Sequence, residues 1–153
     1  MNDKEDRRTF PTGSSTCTVL IGTADDGDAV AQLILESLLP THPSAIVENL
    51  SKPNATSIIA NCTIFIAVLT PQLEQTPFCQ SVFEQARLLN KPIIPVIAVK
   101  KWRPTGWLGL VIAGRVFFRI FDRDTAYKPF YDSTLINDLH LEIEVSIDSN
   151  RCN

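Results

Sequence analysis

The chain has 153 residues, 14 Lys and Arg against 17 Asp and Glu, a net charge of −3, and 44% hydrophobic with 20% charged residues. This composition excludes a wholly disordered or fibrous chain and suits one domain with a substantial core. The weak negative charge offers no field for a nucleic-acid backbone, and the longest apolar stretches, Ile64 to Leu69 and Ile93 to Val99, are too short for a membrane-spanning helix.

Residues 1–14 read as a flexible leader, charged at first and then polar with Pro11 and Gly13. They lack the apolar core of an export or transit signal, so the expected compartment is the cytoplasm. Cys17 to Gly22 is a short β-branched run closed by glycine and acids, the pattern of a buried strand. Asp25-Asp26-Gly27-Asp28 supplies a turn and a helix cap, and Val30, Leu33, Ile34, Ser37 and Leu38 follow at helical spacing. Pro40 and Pro43 end that helix, and Ala45 to Leu50 reads as a second strand. Ser51 to Ser57 is a loop, leaving Ser57 to Asn61 for a very short helix.

Thr63 to Leu69 is continuous and apolar, as a strand covered on both faces should be, and belongs at the centre of the sheet. Thr70-Pro71 and Thr76-Pro77 each place a capping hydroxyl before a proline suited to the first helical position. A helix then runs from Pro77 to Leu89 with Cys79, Val82, Phe83, Ala86 and Leu89 as its buried stripe. Lys91 to Val99 is a fourth strand, Trp102 to Leu110 a loop with one helical turn, and Val116 to Ile120 a fifth strand. Leu135 to Ile147 has the pattern of a terminal helix packed on the domain.

Apolar strands alternating with helices predict an α/β fold: a flavodoxin-like, doubly wound, five-stranded parallel sheet with helices on both faces. The domain spans residues 15–121, and 122–153 form a C-terminal tail. Ligands of such sheets sit beyond the carboxyl ends of the strands, which directs attention to the loops after Gly22, Leu50, Leu69 and Val99.

Few residues there carry obvious chemistry. Cys17, Cys62, Cys79 and Cys152 show no metal-ligand spacing and read as small buried apolar residues. Asp25, Asp26 and Asp28 could hold Mg2+ as in a receiver domain, but Leu69-Thr70-Pro71-Gln72 lacks the phosphoacceptor Asp, and Lys100 matches the expected lysine only loosely. The simpler reading is a solvated turn that caps a helix. Gly22 and Gly27 do not have the spacing of a phosphate-cradling loop. The two histidines, His42 beside prolines and His140 in the tail, read as surface residues, so no base stands beside a nucleophile.

Taken in order, Cys17 to Gly22 with its following acids, Thr63 to Leu69, Thr76-Pro77-Phe78-Cys79-Gln80-Ser81-Val82-Phe83-Glu84-Gln85-Ala86 and Lys91-Pro92-Ile93-Ile94-Pro95-Val96 resemble successive boxes of a TIR (Toll/interleukin-1 receptor/resistance) domain. Gly106-Trp107-Leu108-Gly109-Leu110 before a Phe-rich strand resembles a segment of one animal branch of that family. The resemblance implies a signalling module that associates with other TIR domains, its own copies or different ones, in innate-immune or cell-death signalling. A chain of this size would then be one module of a larger protein.

The family also implies an alternative, cleavage of NAD+ at the nicotinamide–ribose bond. The enzymatic branch carries a glutamate three residues after the helix cysteine, and that position here is Val82. Glu84 is the nearest acid and the candidate catalytic residue, but two residues turn a helix by about 200° and direct it to solvent, within reach of Arg87. The nucleotide cleft of that alternative would be lined by Thr23, Ala24, Asp25 and Cys79, with NAD+ as substrate. No cofactor or metal is required. The family's interaction loop corresponds to Ser51, Lys52, Pro53, Asn54, Ala55, Thr56 and Ser57, shorter than usual and without the usual Arg, Asp and Gly.

Overall fold

Six consecutive apolar residues in one strand can be kept from water only if both faces of their sheet are covered. In the computed structural model, which describes residues 18–52, 55–99, 101–119 and 133–151, that strand is β3 (Ile64–Leu69), with every residue buried. The sheet has the parallel order β2-β1-β3-β4-β5, formed with β1 (Val19–Thr23), β2 (Ile46–Asn49), β4 (Ile93–Ile97) and β5 (Phe118–Arg119). The flavodoxin-like α/β expectation therefore holds. Its helices are α1 (Asp28–Leu38), α2 (Ala55–Asn61), α3 (Pro71–Gln75), α4 (Pro77–Leu88), α5 (Gly106–Ile112) and α6 (Ser133–Arg151). None among the described residues is long and apolar enough to cross a membrane.

Alternation along the strands splits the core in two. Val19, Ile21, Ile64, Ile66, Val68, Ile94 and Val96 pack beneath α1 and α6, which contribute Ile34, Leu38, Leu139, Ile143 and Ile147. Leu20, Phe65, Ala67, Leu69, Ile93 and Ile97 face the other way, toward α2, α3, α4 and α5. The terminal helix is thus one of the layers that cover the sheet. The leader at 1–14, Cys17, Lys100, the tail segment 122–132 and Cys152 lie outside the described residues.

Several local expectations change. The segment read as a loop to Ser57 turns helical at Ala55, because Ala55 is 1% exposed and anchors α2 to the core. The single turn expected after Trp102 is a seven-residue helix, α5, tied down by Glu74. The Glu74 carboxylate accepts hydrogen bonds from Thr105 N at 3.1 Å and Thr105 Oγ1 at 3.0 Å, while Trp107 Nε1 donates to Glu74 O at 2.8 Å. Leu89, expected in the α4 stripe, is 41% exposed at the helix end.

Among the described residues the fifth strand starts only at Phe118 rather than Val116, with a proline as the physical reason. Ala98 N donates to Leu69 O, so alternate backbone groups of β4 face β3 and those of Pro95 face β5. Pro95 has no N–H to give, and the β4–β5 ladder begins only at Val96 and Phe118.

Both histidines are half-buried rather than free on the surface. His42 Nε2 lies 3.0 Å from a carboxylate oxygen of Glu144, with the His42 side chain 11% exposed. Ser37 donates its hydroxyl proton to Ile34 O, so its Oγ accepts from His140 Nε2 at 3.4 Å. The two rings stitch α6 to α1 and to the turn before β2.

Burial holds His140 below its ordinary 6.5, His42 pushes in the same direction, and Glu144 opposes both. The folded state therefore binds fewer protons here than the unfolded chain. The corresponding stability is complete above the unfolded value and is lost as pH falls from there through the lower folded value. Urea midpoints at about pH 7.5 and about pH 5.5 should show a loss on acidification that His140→Gln reduces; equal losses in both proteins would refute this account.

Candidate functional site

At the carboxyl ends of β1, β2 and β3 the polar groups satisfy one another. Asp25 and Asp26 sit in a 3-10 turn, Asp25–Gly27, between β1 and α1, and neither caps the helix. The Asp25 carboxylate instead accepts a hydrogen bond from Asn49 Nδ2 at the end of β2. Asp26 accepts from Thr70 Oγ1 at 2.5 Å, beyond the end of β3. Asn49 Oδ1 in turn accepts from Ser51 N at 2.9 Å, and Thr23 O accepts from Leu50 N at 2.8 Å. These bonds clip three strand ends together; Asp25 and Asp26 remain exposed, so the turn is solvated as expected but their side chains cap no helix.

The two Thr-Pro pairs also divide. Thr70 Oγ1 caps α3 by accepting from Leu73 N at 3.2 Å. Thr76 makes no cap for α4; its hydroxyl donates backward to Gln72 O at 2.7 Å, tightening the turn between α3 and α4.

Of the residues assigned to a nucleotide cleft, Thr23, Ala24 and Cys79 are buried at 2%, 0% and 0% exposure, and only Asp25 is exposed. Ser51 Oγ is buried without a well-formed hydrogen bond, and the polar group it faces is the Cys79 thiol. Burial pushes that thiol up to about 11, with Asp26 adding to the rise and Ser51 and Thr76 acting against it. A thiol kept protonated is no nucleophile at neutral pH. Among the described residues no group of three or more His, Cys, Asp or Glu is placed to hold a metal ion.

Of the interaction-loop residues, Lys52 is exposed in a turn, Ala55, Thr56 and Ser57 belong to α2, and Pro53 and Asn54 lie outside the described residues.

Val82 is 1% exposed and packs in the same core as Cys79, so the position three residues after the cysteine is apolar and dry. Glu84 lies five residues beyond Cys79, a rotation of about 140° and a rise of about 7.5 Å, and it is exposed. It accepts from Gln80 Nε2 at 3.4 Å, so the partner is Gln80 rather than Arg87.

Glu84 does line a cavity, a groove of about 610 Å³ between α4 and α5 that also involves Gln80, Arg87, Trp107, Leu110 and Arg115. The groove was not anticipated from the sequence. Of its lining residues Trp107 is tied to the core beneath, its ring 5.4 Å from that of Phe83 edge to face, and Phe83 lies 5.1 Å from Phe65. The Gly-Trp-Leu-Gly segment is the signal that could have located it, because it builds α5 and supplies Trp107.

No family model and no curated protein matches the chain.

Two measurements probe the locked strand ends. A Cβ at Gly27 would come within 2.1 Å of Thr23 Oγ1 and 3.1 Å of both Thr70 Cγ2 and Val68 Cγ1. Gly27→Ala should therefore cost about 1–3 kcal/mol in urea unfolding, with much of the loss recovered by adding Thr23→Ala; additive losses would reject the clash. Peptide mapping after thiol labelling at about pH 8 should find Cys79 unmodified in the folded protein and modified in urea. Rapid native labelling would contradict its burial.

Proposed function

We propose that this chain is a TIR-type signalling module that works by association with other TIR domains, its own copies or different ones, in cytoplasmic innate-immune or cell-death signalling. The observation that carries this reading is Val82, an apolar side chain buried where the enzymatic branch would need a carboxylate. The five-stranded flavodoxin-like sheet is compatible with the family. The polar groups at the strand ends are engaged with each other, and Cys79 and Thr23 have no exposed surface to offer a substrate. Large apolar side chains lie exposed on the helices instead, including Leu88 at 77% and Leu110 at 80%. Contacts of this size are individually weak and become effective when tethering raises the local concentration of the modules.

One observation favours the second reading, NAD+ hydrolysis. Glu84 lines a groove of a volume that fits a small ligand, beside Trp107 and two arginines. A carboxylate there could stabilise an oxocarbenium-like charge, although exposure to water weakens that stabilisation.

An NAD+ consumption assay on bead-clustered protein separates the two. The association reading expects no nicotinamide release from the unmodified chain and a mass that grows with concentration. Release that disappears in Glu84→Ala would establish the hydrolase reading and overturn the first. Val82→Glu should gain no activity, since it buries a charge in a packed core and should cost about 3 kcal/mol or more in unfolding free energy.

A further inference from the structure

Two surfaces on opposite sides of the sheet have complementary chemistry. The first is the α4/α5 groove, where Arg87 and Arg115 face one carboxylate, Glu84, around apolar Leu110 and Trp107. Arg115 Nε donates to Val111 O at 2.8 Å, which fixes the guanidinium and leaves its terminal nitrogens for an outside carboxylate. The groove is thus locally cationic on a chain whose net charge is −3.

The second surface is the outer face of α6. Between Asn137 and Asp148 the helix carries Asp138, Glu142, Glu144 and Asp148 and no lysine or arginine. At about 100° per residue, Asp138, Leu141, Val145 and Asp148 fall within about 80° of one another. Their stripe lies roughly opposite the buried one of Leu139, Ile143 and Ile147. Leu141 is 64% and Val145 57% exposed, so two apolar anchors at i and i+4 are bracketed by two exposed acids. Glu144 is turned aside to His42. An amphipathic helix with such anchors is the usual occupant of an apolar groove rimmed by the opposite charge.

We infer that α6 of one copy docks in the α4/α5 groove of the next, Leu141 and Val145 against Leu110 and Trp107, Asp138 and Asp148 toward Arg87 and Arg115. This rests on the association reading and names the surfaces that would carry it. Because α6 covers one face of the sheet and the groove lies over the other, the contact joins copies head to tail. It leaves one free groove and one free helix at the ends of every open assembly, so growth does not stop at a dimer but runs on until a ring closes or as a filament.

The test uses the full chain and two variants altered at exposed positions. Arg87→Glu/Arg115→Glu reverses the groove, and Leu141→Glu/Val145→Glu removes the helix anchors while keeping the face acidic. Sedimentation velocity should show wild-type species beyond the dimer that shrink as salt rises from about 50 mM to about 500 mM. Each variant alone should be monomeric with an unchanged circular dichroism spectrum. An equimolar mixture should form 1:1 dimers and stop, since only one intact groove and one intact helix remain per pair. Wild-type assembly that either variant retains overturns the inference and leaves the association reading standing on other surfaces. A mixture that stays monomeric while the wild type assembles overturns the head-to-tail arrangement. A wild type that is monomeric at every concentration overturns both the inference and the homotypic form of the association reading.

Discussion

The molecule is organised by one requirement, that β3 be dry on both of its faces. Ile64, Ile66 and Val68 point one way and Phe65, Ala67 and Leu69 the other, and all six are inaccessible to water. Burying such side chains is worth about 1.5–3 kcal/mol each, so leaving either face open would forfeit a sum comparable to the whole stability of a domain. The chain must therefore supply two helical layers. α2, α3, α4 and α5 form one, while α1 alone is too narrow to form the other. That shortage explains why α6 returns to the sheet from beyond β5, and why both histidines are spent holding it there.

The same economy governs the strand ends. Open parallel sheets usually present their ligand crevice at this edge. Here Asp25, Asp26, Asn49 and Thr70 are drawn into bonds between neighbouring strand ends, and Cys79 is buried behind Ser51. Polar groups that already satisfy one another offer little to a substrate. Among the described residues, unused chemistry lies on the outside of the helical layers: a groove lined by two arginines and Trp107 on one side and an acidic helix face with apolar anchors on the other. This division is why association, rather than catalysis in the crevice, is the reading proposed for the chain.

How much was legible in the residues depended on whether the signal was local. Thr63 to Leu69 and the α4 stripe Cys79, Val82, Phe83 and Ala86 were readable because hydrophobic periodicity is itself the record of which face is buried. The order of strands and helices followed from them. Asp25 and Asp26 were misread because a capping turn and an interstrand clip have the same local sequence; only Asn49 and Thr70, 24 and 44 positions away, distinguish the two. The start of β5 depended on Pro95 in another strand. His42 and Glu144 are adjacent only after α6 has folded back. For the candidate site, the apolar character of Val82 and the outward direction of Glu84 were legible from helical geometry, whereas the groove beside Glu84 was not, because α5 forms one of its walls.

The sequence by itself determined the α/β class, the continuous central strand and the apolar, inward-facing character of position 82, since each is set by side-chain type and by a period of two or 3.6 residues. Tertiary structure alone decided which polar groups remain free to act. Whether Asp26 finds Thr70, whether α6 is an appendage or a wall, and whether Glu84 borders a groove all depend on contacts between segments far apart in the chain. Local propensity carries no record of those partners; they are fixed only when both faces of β3 have been covered.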